Sequence, residues 1–241
     1  MKGKLHLIPS PLGDNDPQDV LPKSVLDRIK NIRYFVVEDT RSARRFLSEA
    51  GLKGTISDLS FSELNEHTQS GEIESLIKPL LEGVDMALIS EAGLPAVADP
   101  GALLVDAAQK NGIKVIPYVG PSSLMMALMA SGLNGQSFTF LGYLPVKPDE
   151  RKRALRDIEK EVLKKGITQI FIETPYRNDK MMESILEECG DNMRLCVATN
   201  ITLADESIIT RSIAQWRKEK QQIGKRPTVF ILGLLPDAVM M

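Results

Sequence analysis

Short aliphatic runs alternate with helical patterns along the first half of the chain, and this alternation limits the folds open to it. The runs "KLHLIPS", "YFVVEDT", "DMALISE" and "IKVIPYVG" are typical of buried strands. The stretches between them, such as "SVLDRIKNI" and "GALLVDAAQKNG", space their apolar residues as a helix does. We therefore predict an α/β fold with a mostly parallel N-terminal sheet that helices cover on both faces.

The second half of the chain mixes strands and helices less regularly. Four runs are strand-like, "SFTFLGYLP", "ITQIFIET", "MRLCVATNIT" and "RPTVFILGL", and "ATNITLADESIITRSI" has the length and composition of a hairpin. This pattern predicts a second α/β domain with a mixed sheet. Pro117, Gly120 and Pro121 cluster between the halves, so we predict domains at residues 1–117 and 118–241.

Composition excludes several classes of protein. The formal net charge of −2 argues against a broadly basic nucleic-acid surface. Two cysteines and two histidines are too few for a disulfide framework or a His/Cys metal site, so we predict no metal. No run approaches the ~18 apolar residues that span a bilayer, and the first residues lack the apolar core of a signal peptide. We expect a cytoplasmic protein that does not enter a membrane.

Polar, glycine-rich and proline-rich segments follow the predicted strands, where ligands bind in open α/β sheets. They are "PSPLGDNDP", "EDTR", "SEAGLPAVADPG", "GPSSL" and "IETPYR". The third combines Gly93 and Gly101 with Pro95 and Pro100, which predicts a stiff loop that presents backbone groups to an adenosyl or amino-acid ligand. The first two segments could equally be a turn and a helix cap.

Six segments taken in order, "PSPLGD", "VVEDTR", "SEAGLPAVADPG", "GPSSL", "LGYLP" and "ETPYR", resemble the tetrapyrrole methylase superfamily of S-adenosylmethionine-dependent methyltransferases. Within it they are most similar to the ribosomal RNA small subunit methyltransferase I branch. The resemblance implies two α/β domains, a cofactor cleft between them and a homodimer. It also implies methylation of a ribose 2′-hydroxyl of a cytidine in 16S rRNA.

The resemblance also implies which residues bind the cofactor. They are Leu12, Gly13, Glu91, Gly93, Leu94, Ala98, Asp99, Ser122, Ser123, Leu144, Thr199, Pro227 and Thr228. The chain departs from the usual family pattern at Asp14, Glu91, Leu94, Thr174 and Tyr176, and at Thr199 with Asn200. The cofactor pattern survives these changes better than the substrate assignment does.

Methyl transfer from a sulfonium is an in-line displacement in which positioning alone can lower the barrier by roughly 7–11 kcal/mol. A ribose hydroxyl is a poor nucleophile, so a base that takes its proton should help. Spacing does not choose among the candidate bases, which are Glu38, Asp39, His67 and Glu173.

An RNA substrate needs cations for its phosphates, and three basic clusters could supply them, at residues 41–45, 147–156 and 217–226. Such clusters can also be solvated helix faces. The second cluster follows "GYLP" and is our favoured contact. The candidate substrate residues are Arg41, Arg151, Lys152, Arg153 and Arg177.

Two other functions stay open at this point. One is methylation of a small tetrapyrrole-like molecule, and the other is a non-catalytic module that binds S-adenosylmethionine.

Overall fold

In a computed structural model that describes residues 1–65, 67–68, 70–219 and 222–235, the chain divides into two compact units, Met1–Ser122 and Ser123–Met241. Each unit contains one five-stranded sheet among its described residues. The domain boundary that the sequence predicts after residue 117 stays a prediction. Among the described residues, no helix is long and apolar enough to cross a membrane.

The first unit is built on a parallel sheet with strand order β3-β2-β4-β1-β5. Its strands are β1 Lys4–Ile8, β2 Tyr34–Val37, β3 Ser60–Glu63, β4 Met86–Ile89 and β5 Lys114–Pro117. Its α-helices are α1 Pro17–Val20, α2 Lys23–Ile29, α3 Thr40–Leu47, α4 Ser70–Leu81 and α5 Gly101–Lys110. A π-helical turn, Ser48–Leu52, continues α3, and a short 3-10 turn occupies Ile56–Asp58.

Both faces of this sheet are buried. Phe35 and Ile89 belong to one apolar cluster, and Val36 and Leu88 belong to the other. Because successive side chains of a strand point to opposite faces, continuous apolar runs fill a core on each side. This confirms the predicted covered parallel sheet. Strand β3 was not predicted because its sequence, "SFSE", is polar and only partly buried at the sheet edge.

The second unit contains a mixed sheet with strand order β6-β7-β10-β8-β9. Strand β6 runs parallel to β7, whereas β10 runs antiparallel to both β7 and β8, and β9 antiparallel to β8. The strands are β6 Phe138–Tyr143, β7 Thr168–Glu173, β8 Arg194–Thr199, β9 Ser207–Ser212 and β10 Thr228–Gly233. The helices are α6 Ser123–Ser131, α7 Pro148–Lys165, α8 Asn178–Glu188 and α9 Ile213–Lys218, with a 3-10 turn at Pro175–Arg177.

The predicted mixed sheet is confirmed, and the predicted hairpin is the β8–β9 pair. Helix α9 was not predicted because it is short. A capping box between Ser212 and Gln215 starts it, and Trp216 anchors it by donating from Nε1 to the Leu195 carbonyl at 2.9 Å. Both cysteines are free and buried, and burial raises the pKa of the Cys189 thiol to about 12.

Candidate active site

The carboxyl ends of three neighbouring strands in the first unit open onto a cavity of about 760 Å³. The register places Ile89 of β4 opposite both Ile8 of β1 and Val37 of β2, so the loops after these strands start at the same level. The lining comes from residues 10–16, 37–49 and 89–92. This is the sheet edge at which the sequence predicts ligand binding.

Carboxylates dominate the charge of this lining. One guanidinium, that of Arg45, lies among them and approaches Asp14 at 3.5 Å. The carboxylates belong to Asp14, Asp16, Glu38, Asp39, Glu49 and Glu91. Such a lining repels phosphate and accepts hydrogen bonds from hydroxyl and amino groups.

Glu38 is the half-buried acid of this set. Its Oε1 accepts a hydrogen bond from the Glu91 backbone N–H at 3.1 Å, and no hydrogen bond to Oε2 is present in the described part of the chain. Burial raises the pKa of Glu38 above its ordinary value, and the carboxylates of Asp99 and Glu91 add to this effect. A carboxyl with a raised pKa and an available oxygen suits a general base.

The other three candidate bases lie in different environments. Asp39 caps α3 by accepting the Ser42 N–H at 2.7 Å, and this bond lowers the pKa of its carboxyl. His67 lies on an exposed turn, where its backbone N–H donates to Asn65, and it does not line the cavity. Glu173 belongs to the second unit, where Arg177 binds its Oε1 from both Nε and Nη2.

The glycine- and proline-rich loop after β4 is fixed to the loop after β1. Ser10 and Gly93 exchange two backbone hydrogen bonds, at 3.0 and 3.2 Å. Gly93 has φ +78°, and a Cβ there would lie 3.1 Å from Leu12 Cδ2, so the position needs glycine.

Asp99 stabilises the same loop by accepting hydrogen bonds from its backbone. Its carboxylate accepts the N–H groups of Ala96 and Gly101. Ala96 and Ala98 have φ values of 64° and 61°, in the left-handed region that costs roughly 1–2 kcal/mol per residue. Strain of this kind is concentrated at ligand sites in proteins.

The predicted cofactor residues occupy several places. Gly13 and Glu91 line the cavity, and the others of the first unit follow on its two loops or, as Ser122, end the unit. In the second unit Ser123 begins α6, and Thr199 pairs with Thr228 across β8 and β10. Leu144, Thr199 and Thr228 are buried, while Pro227 is exposed. Their role in binding stays a prediction.

The predicted substrate residues are not equally accessible. Arg151 is 7% exposed, and its guanidinium donates to Ser184 Oγ at 3.0 Å and to the Val146 carbonyl at 2.9 Å. This burial speaks against the predicted surface role. Lys152 binds Glu187 at 2.9 Å, whereas Arg41 and Arg153 are exposed. In the third basic cluster, residues 220 and 221 lie outside the described part of the chain.

Several lining residues were not among the predicted site residues, and Ser10 and Glu49 are two of them. Ser10 follows the predicted strand directly and donates from Oγ to the Ser90 carbonyl, so its position was readable. Glu49 lies in the π-helical turn, where Gly51 has φ +100°. A break in helical periodicity of this kind has no clear sequence signal.

Comparison with known proteins agrees with this architecture. The profile of the tetrapyrrole (corrin/porphyrin) methylases matches residues 4–216, and the chain belongs to this family. The predicted S-adenosylmethionine-dependent methyltransferase is thereby confirmed as the class of enzyme.

Two relatives and one solved structure illustrate the likeness. The chain is 32% identical over 237 residues to the ribosomal RNA small subunit methyltransferase I of Vibrio cholerae, covering 97% of this chain and 78% of the relative. It is 33% identical over 221 residues to the enzyme of the same name from Halalkalibacterium halodurans, covering 90% and 72%. The uroporphyrin-III C-methyltransferase of Thermus thermophilus, solved with S-adenosylhomocysteine, matches with a TM-score of 0.60 at 16% identity over 96% of this chain and 97% of that one. This last match shows the shared fold.

Proposed function

We propose that this protein transfers a methyl group from S-adenosylmethionine to the ribose 2′-hydroxyl of a cytidine in 16S rRNA. The relatives at 32% and 33% identity carry the name of a ribosomal RNA methyltransferase. The observation that carries the proposal for this chain is Glu38, a carboxyl of raised pKa that faces an acid-lined cavity.

The residues present fit S-adenosylmethionine. The strained backbone at Ala96 and Ala98 and the closed carboxylate of Asp99 give a preformed loop of the kind that holds ligands. Glu91 supplies an exposed carboxylate that accepts hydrogen bonds from ribose hydroxyls or an ammonium group. The bound cofactor would supply a methyl group on a sulfonium, and the predicted cofactor residues would hold it.

The cavity is suited to the uncharged part of the substrate. A nucleoside offers hydroxyl and amino donors, which the carboxylates of Asp14 and Glu49 accept, while its phosphates stay outside the acidic lining. Glu38 would take the proton of the 2′-hydroxyl on Oε2 as the oxygen becomes a nucleophile, while the Glu91 N–H holds Oε1 in place.

The same lining disfavours the alternative of a tetrapyrrole substrate, because a macrocycle with carboxylate side chains would be repelled by six acids. A non-catalytic module needs no general base, so the raised pKa of Glu38 argues against this alternative.

The proposal includes a cytoplasmic location, where ribosomal RNA is found, and a homodimer. Helix α6 is apolar on nearly all sides, and Met129 is 80% exposed on it. Edge strand β6 exposes Phe138, Leu141 and Tyr143. Apolar groups left on a helix and on a sheet edge in one unit are typical of a subunit interface.

The test uses S-adenosylmethionine labelled in its methyl group and small ribosomal subunits from a bacterium that lacks the related enzyme. We expect label in 16S rRNA, at one cytidine that resists alkaline cleavage. Label that appears only in small molecules, or only on a base, would contradict the proposal.

A further inference from the structure

An exposed tyrosine lies on a short turn in the second unit. Tyr176 follows β7 in the 3-10 turn Pro175–Arg177, and its side chain is 78% exposed, against 58% for Tyr143 and 40% for Phe138. Tyr176 does not line the cavity of the first unit. A large, exposed aromatic ring that the fold does not bury is available for a partner.

Hydrogen bonds that Glu173 accepts fix the turn that carries Tyr176. Glu173 accepts from the Arg177 guanidinium at 2.8 and 2.5 Å and from the Thr174 N–H at 2.6 Å. Pro175 fixes its own backbone torsion at the start of the turn. The ring is therefore presented by a preorganised element, which lowers the entropy lost on binding.

A second turn, at residues 223–227, lies beside the first and is tied to it by the start of α8. The Asn178 amide donates to the Gly224 and Arg226 carbonyls at 3.0 and 2.7 Å. Asp179 accepts the N–H groups of Ile223 and Gly224. These hydrogen bonds place Lys225 over the Tyr176 ring, with Nζ 4.9 Å from its centroid.

The cation over the Tyr176 ring is not neutralised by an acid. In the described part of the chain, Lys225 forms no ion pair. Helix α7, which the sequence favours as the RNA contact, differs in this respect. There Lys152 binds Glu187 and Glu188, and Arg156 binds Glu188 at 2.6 Å. Unpaired positive charge that can bind phosphate therefore lies beside Tyr176 and not on the face of α7 that binds Glu187 and Glu188.

We propose that Tyr176 and Lys225 form a platform on which an unpaired RNA nucleotide stacks, with its phosphate held by Lys225. Single-stranded RNA is recognised by aromatic rings that stack its bases together with cations that follow its backbone. This inference rests on the proposed function, because an rRNA methyltransferase has to hold nucleotides besides the one that it methylates.

The experiment measures binding of a fluorescein-labelled single-stranded RNA 12-mer to the full chain by anisotropy at several salt concentrations. Tyr176→Leu should weaken binding about tenfold, whereas Tyr176→Phe, which keeps the ring, should stay within about twofold. Lys225→Gln should lower the slope of log K against log salt by somewhat less than one. Lys164→Gln removes another exposed cation, on α7 and outside the platform, and should leave the slope unchanged.

Binding of S-adenosylhomocysteine, measured by calorimetry, separates this inference from the proposed function. We expect the same cofactor affinity in all four variants, and thermal melts should coincide because Tyr176 and Lys225 are exposed. Equal RNA affinity of wild type and Tyr176→Leu, in a wild-type protein that methylates rRNA, would overturn the platform and leave the proposed function intact. RNA binding that depends on Tyr176, in a protein that transfers no methyl group to rRNA, would overturn the proposed function alone.

Discussion

A glutamate stands directly after β2 and at the end of β7, each followed within four residues by an arginine, but the two glutamates have different surroundings. Glu173 at the end of β7 is 5% exposed and is bound by Arg177. Glu38 directly after β2 has no cation as a partner among the described residues, and its neighbours are other carboxylates. The first is a structural ion pair, and the second is an acid that the fold leaves available.

The position of the arginine accounts for this difference. In the second unit Pro175 starts a 3-10 turn that returns Arg177 to the glutamate four residues before it. In the first unit Asp39 caps α3 instead, and Arg41 is exposed on the first turn of that helix. The same residue types therefore form a buried ion pair in the second unit and leave a carboxyl without a cation in the first. The helix that follows the glutamate decides between the two outcomes.

The largest effect that would test this contrast is on catalysis. Glu38→Gln should lower the single-turnover rate of methyl transfer by roughly 10²–10⁴-fold, because the amide cannot take a proton from the ribose hydroxyl. Cofactor affinity should change little, since the glutamine oxygen can still accept the Glu91 N–H. A rate that stays within about threefold of wild type would exclude Glu38 as the base.

The next effect concerns stability and the other glutamate. Arg177→Met should lower the free energy of unfolding by about 3 kcal/mol, because it leaves the Glu173 carboxylate buried without its cation. Glu173 Oε2 already lacks a hydrogen-bond partner, so little in the structure compensates for the loss. Urea unfolding measures the change.

The matched control is Lys110→Met, which breaks the exposed pair of Lys110 with Asp106 on α5. An exposed pair of this spacing contributes little, so the unfolding midpoint should barely move. If both variants lost the same stability, the Glu173–Arg177 pair would not be the structural lock that we describe.

Much of the fold was predictable because the central strands of the first unit, β2 and β4, are apolar throughout. Strand β4, "MALI", is buried at every position, as a central parallel strand requires. Two of the elements that were missed, β3 and α9, are short and depend on tertiary partners. Edge strand β3 gains its order from pairing with β2, and α9 from the burial of Trp216.

The position of the candidate site could be predicted from the sequence, but which of its glutamates is available as a base could not. Strand ends, glycines and prolines marked the loops that surround the cavity. Which glutamate stays free depends on Arg177 and on the approach of Asp99 and Glu91 to Glu38, and sequence spacing does not fix these distances.

The burial of Arg151, by contrast, was open to sequence reasoning. Arg151 shares a stripe with Leu155, Ile158 and Val162, at spacings of four, three and four residues, and all four are buried. Helical periodicity places such residues on one face, so the cation at the start of this apolar stripe was the one to expect inside.

The smallest expected effect is on stability. Replacing each of the two glutamates with glutamine should change the free energy of unfolding in opposite directions. Burial raises the pKa of Glu38 in the folded protein, so the folded state holds a proton more tightly than the unfolded state does. Stability therefore falls as the pH rises from about 4.5, the ordinary value, through the raised pKa of the folded protein.

Glu38→Gln cannot lose a proton, so it should be more stable than wild type at pH 7–8, by less than about 1 kcal/mol because the group is only half-buried. This gain should shrink as the pH falls below about 4.5, because Glu38 then becomes protonated in both states. Asp99, whose pKa burial also raises, contributes a slope of the same sign in both proteins. Glu173→Gln should instead be less stable than wild type at pH 7, since it removes the charge that Arg177 binds. Urea unfolding of the three proteins between pH 4 and pH 8 measures both signs, and a loss of stability in Glu38→Gln at pH 7 would show that Glu38 too is held by the fold.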